Sequence, residues 1–445
     1  MKQQSYDNSL KYRLRLIWAY KDVFRNHFRP VFDIYTRRFA ESQRNAALKL
    51  KPKWEQSEKG GKPIDVAFLL TIPGMWKVDS LFKALEADPH YHPYVVIVPY
   101  SVYKGFSSIE VEATIERTRE FISEKGYEYY IPRDSRGRWQ DIKRTLKPDI
   151  VFFTTPYKDI FPKYFVYHFR DTLTCYISYG FTSLNLIKIN FDLIFHNLVG
   201  AYFLETPFHK RIANENARNR GANAVVSGYP ATEVFLRKDY KAADVWKKQD
   251  RPKKRVIWAP HHTIDKSLGL STFLLRCEDM LALAEKYKDS IQFAFKPHQL
   301  LKFKLRQEWG DAKVDEYYRR WQEMDNTQLE ESSYVDLFIT SDAMIHDCGS
   351  FTTEYLFVQK PVMYLTHDQH FKERFNPFGL EAFDCHYQGG TVDEIEQFLH
   401  SVVIQGEDPL ADRRQKFFAD YLRPVDGLLP SQKIISLLNQ MICEQ

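Results

Sequence analysis

Short apolar runs that alternate with helical patterns constrain this chain more than any other feature. The stretch 64–72 (IDVAFLLTI) is continuously apolar apart from one acid, the mark of a strand buried on both faces of a parallel sheet. A turn at Pro73 and Gly74 follows, then a helical pattern over 80–87, a strand over 94–98 and a polar-faced helix over 108–125. Further strands are expected at 149–155, 175–178, 199–203 and 224–226. The charged stretch 237–254 is nearly free of buried-type residues and reads as a linker. The alternation then restarts, with strands at 255–259, 291–295, 336–340, 343–346 and 361–365. Helices are expected over 272–287, 352–358, 392–403 and 431–441. This pattern predicts doubly wound α/β halves on either side of a linker. Ligands in open α/β sheets bind beyond the carboxyl ends of the strands.

The N-terminal 53 residues differ from the rest. They hold thirteen Lys/Arg against four acids, a charge of +9 in a chain whose formal net charge is +5. Leu10, Leu14, Ile17 and Trp18 follow helical spacing, and Phe24, Phe28, Phe32, Tyr35 and Phe39 form an aromatic stripe. Pro30 is expected to kink or divide this arm. Two readings fit it: a basic amphipathic arm on an anionic membrane surface, or a helix pair packed on the protein's own core. A Lys- and Gly-containing linker is expected over 53–62.

Five scattered Cys with no CxxC argue against a disulfide framework and a Cys-rich zinc site, and fit a reducing cytoplasm. No run of about 18 apolar residues is present, so no bilayer-spanning helix is expected, and no secretory leader is recognisable. The near-balance of charge over the whole chain gives no reason to expect nucleic-acid binding.

Four segments lie at the ends of expected strands. In Trp258-Ala259-Pro260-His261-His262-Thr263, two His follow a strand. Adjacent His rarely converge on one metal without outside help, whereas both could donate to a phosphate. In Phe295-Lys296-Pro297-His298-Gln299, Pro297 restricts the backbone before His298. A protonated His298 would neutralise a diphosphate, and a neutral one would pass a proton. In His346-Asp347-Cys348-Gly349-Ser350-Phe351-Thr352-Thr353-Glu354, a strand runs into small hydroxyl residues that open a helix. A helix start of this kind suits an anion, Glu354 would suit a ribose hydroxyl, and an ordinary N-cap explains the same residues. The fourth, Cys175-Tyr176-Ile177-Ser178-Tyr179-Gly180, is a strand–loop junction. There is no Walker loop, HExxH, GxSxG or kinase set, and no GxGxxG follows the first strand. No metal constellation is visible, so a metal-independent reaction without a cofactor is expected.

Taken in order, these segments, with Lys360-Pro361-Val362-Met363-Tyr364-Leu365 and Gly228-Tyr229-Pro230, resemble the CDP-glycerol glycerophosphotransferase family of teichoic-acid and capsule polyol-phosphate transferases. The resemblance covers roughly residues 170–400. It implies a GT-B fold of two Rossmann-like domains facing a cleft, preceded by the basic arm over 1–53. The first domain, over 62–236, would take the acceptor, and the second, over 255–445, the nucleotide donor. It implies transfer of glycerol- or ribitol-phosphate from a CDP-activated donor to a hydroxyl of a cell-surface glycan or polymer, with release of CMP. It also implies peripheral attachment to the inner face of the cell membrane through residues 1–53. By motif, His298 falls at the family histidine near the donor diphosphate. The donor contacts would be His261, His262, Lys296, His298, Asp347, Gly349, Ser350, Thr352, Thr353 and Glu354. The sequence departs from the family where Tyr179 replaces its first-half histidine, where Cys348-Gly349 replaces Tyr-Ser, and where His261-His262 replaces a Thr-aromatic pair. A Tyr is a poor base at neutral pH, so His168 and His196 become alternatives. A nucleotide-sugar glycosyltransferase, a UDP-sugar 2-epimerase and a catalytically silent membrane-associated scaffold are the competing readings.

Overall fold

The computed structural model describes residues 29–100, 107–264, 269–331, 333–424 and 426–444. They form two sheets in which every pairing is parallel. The first contains β1 (Ile64–Leu70), β2 (Tyr91–Ile97), β3 (Tyr129–Tyr130), β4 (Ile150–Phe153), β5 (Leu173–Ile177), β6 (Ala201–Leu204) and β7 (Ala224–Val226). Its order is β3-β2-β1-β4-β5-β6-β7. The second contains β8 (Lys254–Ala259), β9 (Ile291–Phe295), β10 (Thr327–Leu329), β11 (Ala343–His346), β12 (Val362–Leu365) and β13 (Tyr387–Gly389). Its order is β10-β9-β8-β11-β12-β13. Parallel neighbours need crossover helices, which cover both faces, and all seven residues of β1 are accordingly buried. Each order reverses direction once, beside β1 and beside β8, the position at which such sheets bind ligands.

The chain divides into two compact units that interleave along the sequence. One comprises Met1–Gly180, Ile187–Ala231 and Pro430–Gln445, and the other Phe181–Leu186 and Thr232–Leu429. The helix Pro430–Cys443 therefore packs with the first sheet, although it follows the second in the chain. It lies against the helices Asp79–Glu86 and Arg29–Leu48, and its Asn439 accepts from Trp54 Nε1 (3.2 Å) and the Tyr91 hydroxyl (2.5 Å).

The helix Arg29–Leu48 is uninterrupted, with Pro30 in its first turn, where a missing N–H costs nothing. Whether the arm is divided at Pro30 turns on residues before Arg29, which lie outside the described residues. Phe32 and Phe39 are buried, and Gln43 fixes the helix to the start of β5. The Gln43 amide donates to the carbonyls of Phe169, Arg170 and Thr172, each at 3.0 Å, and accepts from the Thr174 N–H (2.8 Å) and hydroxyl (2.7 Å). This part of the arm packs on the protein's own core. The apolar positions Leu10, Leu14, Ile17, Trp18, Phe24 and Phe28 lie outside the described residues. Among the described residues no helix is long and apolar enough to cross a membrane.

Two expectations about local structure are corrected. The linker over 53–62 begins inside a helix, Lys51–Ser57, in which Lys53 Nζ pairs with Asp149 and Asp65. The strand expected over 336–340 is a helix, Val335–Thr340. The place beside β8 is taken by β11, and Phe338 packs edge-on against Phe351 and Tyr355. The stretch 237–254 carries a buried Trp246, whose Nε1 donates to Thr340 Oγ1 (3.0 Å).

Candidate functional site

The second sheet builds the densest cluster of chemically capable side chains. Register places the end of β8 between those of its neighbours, with Trp258 opposite Phe295 in β9 and Ala259 opposite His346 in β11. Beneath it Trp258 is fully buried, stacked on Phe295 (5.0 Å) and Phe273 (5.7 Å), which gives the strand ends a rigid floor. The chain then leaves β8 through Pro260 into His261 and His262, and leaves β9 through Pro297 into His298. Lys296 N donates to Trp258 O (2.8 Å) and His298 N to Pro260 O (3.1 Å), so the two exits stay paired beyond the sheet.

The three imidazoles meet. His262 lies 4.3 Å from His261 and 4.2 Å from His298, centroid to centroid, and His261 lies 5.2 Å from His298. One ring nitrogen from each is within 4.8 Å of the others, a spacing at which they could hold a metal ion. His298 supplies the outside help that an adjacent His pair needs. Their backbone bonds favour a different use. Leu300 N–H donates to His298 Nδ1 (3.1 Å) and Thr263 N–H to His261 Nδ1 (3.3 Å). A ring that accepts at Nδ1 carries its proton on Nε2, so His298 presents an N–H donor rather than a lone pair, while His261 Nδ1 also lies 2.9 Å from the Thr263 hydroxyl, with which it can exchange donor and acceptor roles. Donors of this kind suit phosphate oxygens.

Asp347 stands directly after β11 and is fully buried. Its Oδ1 accepts from His261 N (2.5 Å), and its Oδ2 from Thr272 N (2.5 Å) and Thr272 Oγ1 (2.8 Å). One carboxylate thus ties the histidine loop to the start of the helix Phe273–Lys286. Burial pushes its pKa up to about 6, against the opposing effect of these bonds. Both oxygens are taken by hydrogen bonds within the protein, to the loop after β8 and to Thr272.

Other expected donor contacts are also turned inward. Thr352 Oγ1 donates to Cys348 O (2.9 Å), and Thr353 Oγ1 shares a hydrogen bond with Ser183 Oγ (2.8 Å), both fully buried. Gly349 packs closely, since a Cβ there would meet the Leu184 side chain at 2.9 Å and one of the two would have to shift. The helix they open is a single turn, Phe351–Glu354, which tightens into a 3-10 turn over Tyr355–Val358. Ser350 begins it without a side-chain capping bond. Glu354 is buried against Tyr334, and among the described residues its Oε2 has no hydrogen-bond partner. Lys296 is buried at the end of β9.

The first sheet carries Tyr179 just beyond β5. Its hydroxyl lies 3.1 Å from that of Tyr157, which follows β4, and burial raises the Tyr179 pKa further. A base at Tyr179 is correspondingly disfavoured. His168 does not replace it. It sits in the turn Val166–Phe169 that leads into the start of β5, with Nε2 2.9 Å from Asp141 Oδ1, at the edge opposite to Tyr179. His196 is buried in the core, and burial pushes its pKa down to about 3. Sequence reasoning missed Tyr157, which the Thr154-Thr155-Pro156-Tyr157 exit from β4 could have signalled.

A family profile described as CDP-Glycerol:Poly(glycerophosphate) glycerophosphotransferase matches residues 200–429, just over half of the chain. The chain belongs to this family. The match runs through β8, β9 and β11 and so includes the three histidines and Asp347. A comparison with curated protein sequences finds no match. Among solved structures, a Listeria monocytogenes protein described as a UDP-N-acetylglucosamine 2-epimerase is 15% identical, with a TM-score of 0.54 over 85% of this chain and 96% of that one. The Neisseria meningitidis UDP-GlcNAc 2-epimerase bound to UDP-GlcNAc is 16% identical, with a TM-score of 0.52 over 85% and 99%. The S. aureus MnaA–UDP structure is 14% identical, with a TM-score of 0.52 over 86% and 98%. At these identities the likeness is one of fold, and it gives the glycerophosphotransferase chain a GT-B-like architecture of two Rossmann-like sheets.

Proposed function

We propose that this chain transfers glycerol-phosphate or ribitol-phosphate from a CDP-activated donor to a hydroxyl of a cell-surface glycan or polymer. The acceptor hydroxyl oxygen forms a bond to the polyol-bearing phosphorus and its O–H bond breaks, the proton passing to solvent. The bond from that phosphorus to the bridging oxygen breaks, and CMP leaves with the electron pair. Such a step needs charge neutralised at the diphosphate. The observation that carries the reading is the convergence of His261, His262 and His298 at the paired exits of β8 and β9, with Nδ1 of two rings taken by backbone N–H groups. These rings would donate to the diphosphate, Lys296 would add charge nearby, and the unpartnered Glu354 Oε2 would accept from a ribose hydroxyl. Ser350 would offer its hydroxyl to the same phosphates. Residues 1–53 would bring the enzyme to the inner face of an anionic membrane.

The test is CMP release from CDP-glycerol and CDP-ribitol in the presence of a glycan or polyol-phosphate acceptor. Release that requires both donor and acceptor, and that His298→Ala abolishes without lowering the melting temperature, supports the reading. Full turnover in folded His298→Ala overturns the role of the histidine cluster. If only UDP-, GDP- or CMP-sugars raise the melting temperature, the donor is a nucleotide sugar. No CMP release with any donor and acceptor would leave a scaffold role.

A further inference from the structure

A cavity lies in the first unit, at the edge where β5, β6 and β7 begin, and so at the opposite end of that sheet from Tyr179. Its volume is about 1090 Å³, and four of its lining residues are Arg37, Arg44, Arg218 and Arg220, against two carboxylates, Asp33 and Glu444. The arginines come from two elements. Arg37 and Arg44 stand two turns apart on one face of the helix Arg29–Leu48, both exposed. Arg218 and Arg220 stand on the turn after the helix Pro207–Asn216.

That turn is held rigidly. Arg218 packs its guanidinium over Phe32 (5.3 Å) and lies 3.7 Å from Asp192. Asn219 N donates to Asn197 Oδ1 (2.8 Å), and Lys210 Nζ to the carbonyls of Gly221 and Ala224, each at 2.5 Å. Arg220 sits at φ 53°, a left-handed conformation that favours glycine, directly before Gly221 at φ 62°. A backbone held in that conformation on a fixed turn, with three other arginines lining the same cavity, is an arrangement suited to gripping anions.

We infer that this cavity is a binding site for the phosphodiester backbone of a polyol-phosphate polymer, separate from the reaction site. The identity of the polymer rests on the transferase reading; the anion chemistry does not. Guanidinium groups match phosphate oxygens in pairs, and four of them spread around one cavity suit successive phosphates rather than a single ion. A concave site suits an inserted chain. A bilayer surface is met by a convex face with apolar tips, and none of the exposed large hydrophobic residues of the described chain lines this cavity. Held here, a growing acceptor would stay with the enzyme between transfers, since a second contact raises its local concentration at the first.

The experiment measures binding of a phosphodiester-linked glycerophosphate oligomer to the full chain, without donor, by calorimetry. The variant is Arg44→Ala with Arg220→Gly, glycine being chosen because it keeps the left-handed backbone. Oligomer affinity is expected to fall about tenfold or more, while the affinity for CDP-glycerol and the melting temperature stay at the wild-type values. Arg44→Lys with Arg220→Lys is expected to retain part of the affinity. Unchanged oligomer affinity in the neutral variant overturns the inference. So does a loss confined to vesicles of phosphatidylglycerol, which would make this a lipid-headgroup site. A fall in oligomer affinity in a protein that releases no CMP would sustain the anion site and overturn the transferase reading alone.

Discussion

Asp347 Oδ1 accepts the backbone N–H of His261 at 2.5 Å, and this bond sets where the histidine cluster stands. The other oxygen holds Thr272 through both its backbone N–H and its hydroxyl. Asp347→Asn keeps one acceptor and replaces the other with an NH2 group facing two donors. It is expected to cost about 1–3 kcal/mol of stability and to raise the KM for the donor more than it lowers kcat. Denaturant titration and steady-state kinetics together check this. An unchanged KM would remove the positioning role.

The same residue gives a pH dependence with a defined sign. The folded pKa, about 6, lies above the unfolded value of about 3.9. Asp347 therefore favours the folded state fully below about pH 4, and this contribution is lost as pH rises through about 6. The melting temperature of the wild type relative to Asp347→Asn is expected to fall across that window and to level off above it. A difference that rises with pH would contradict the burial account.

Gly349→Ala brings a Cβ to 2.9 Å from the Leu184 side chain. The expected loss is about 1–3 kcal/mol, with partial recovery in the double variant Leu184→Ala/Gly349→Ala. Additive effects in the cycle, measured by urea unfolding, would show that the two positions do not press on each other.

Gln43→Ala would remove the amide from the buried carbonyl of Thr172 and from the N–H and hydroxyl of Thr174, while the Phe169 carbonyl keeps the Thr172 N–H. A destabilisation of about 3 kcal/mol is expected. A negligible effect would mean that the helix Arg29–Leu48 is not tied to β5 in solution.

Tyr179→Phe removes a hydroxyl that pairs with Tyr157 and whose pKa is raised by burial. CMP release is expected to stay within about threefold of wild type. A hundredfold loss would restore Tyr179 as the group that takes the acceptor proton.

The strands were legible because a parallel strand buried on both faces leaves a nearly continuous apolar run, interrupted in β1 by Asp65 alone and in β9 by Gln292 alone. Helix and strand are not separable in runs as short as Val335–Thr340, where only tertiary competition for the place beside β8 decides. The three histidines were individually visible. Their meeting was not, because it depends on the register between β8 and β9. Inward use of Asp347, Thr352 and Thr353 was likewise hidden, since residue type does not say which way a carboxylate or hydroxyl turns. Gln43 carried no signal at all: a single amide among charged neighbours gives no hint that it anchors a helix 130 residues away from its partners.

The return of the helix Pro430–Cys443 to the first sheet bears on how the chain is made. During synthesis the first sheet emerges early, yet the helix that covers Trp54, Tyr91 and the helix Asp79–Glu86 does not exist until the whole second unit has left the ribosome. For that interval an apolar face of the nascent protein stands open to chaperones and to neighbouring chains. A nonsense change between Leu429 and Pro430 would leave the second unit intact and keep the first in that unfinished state.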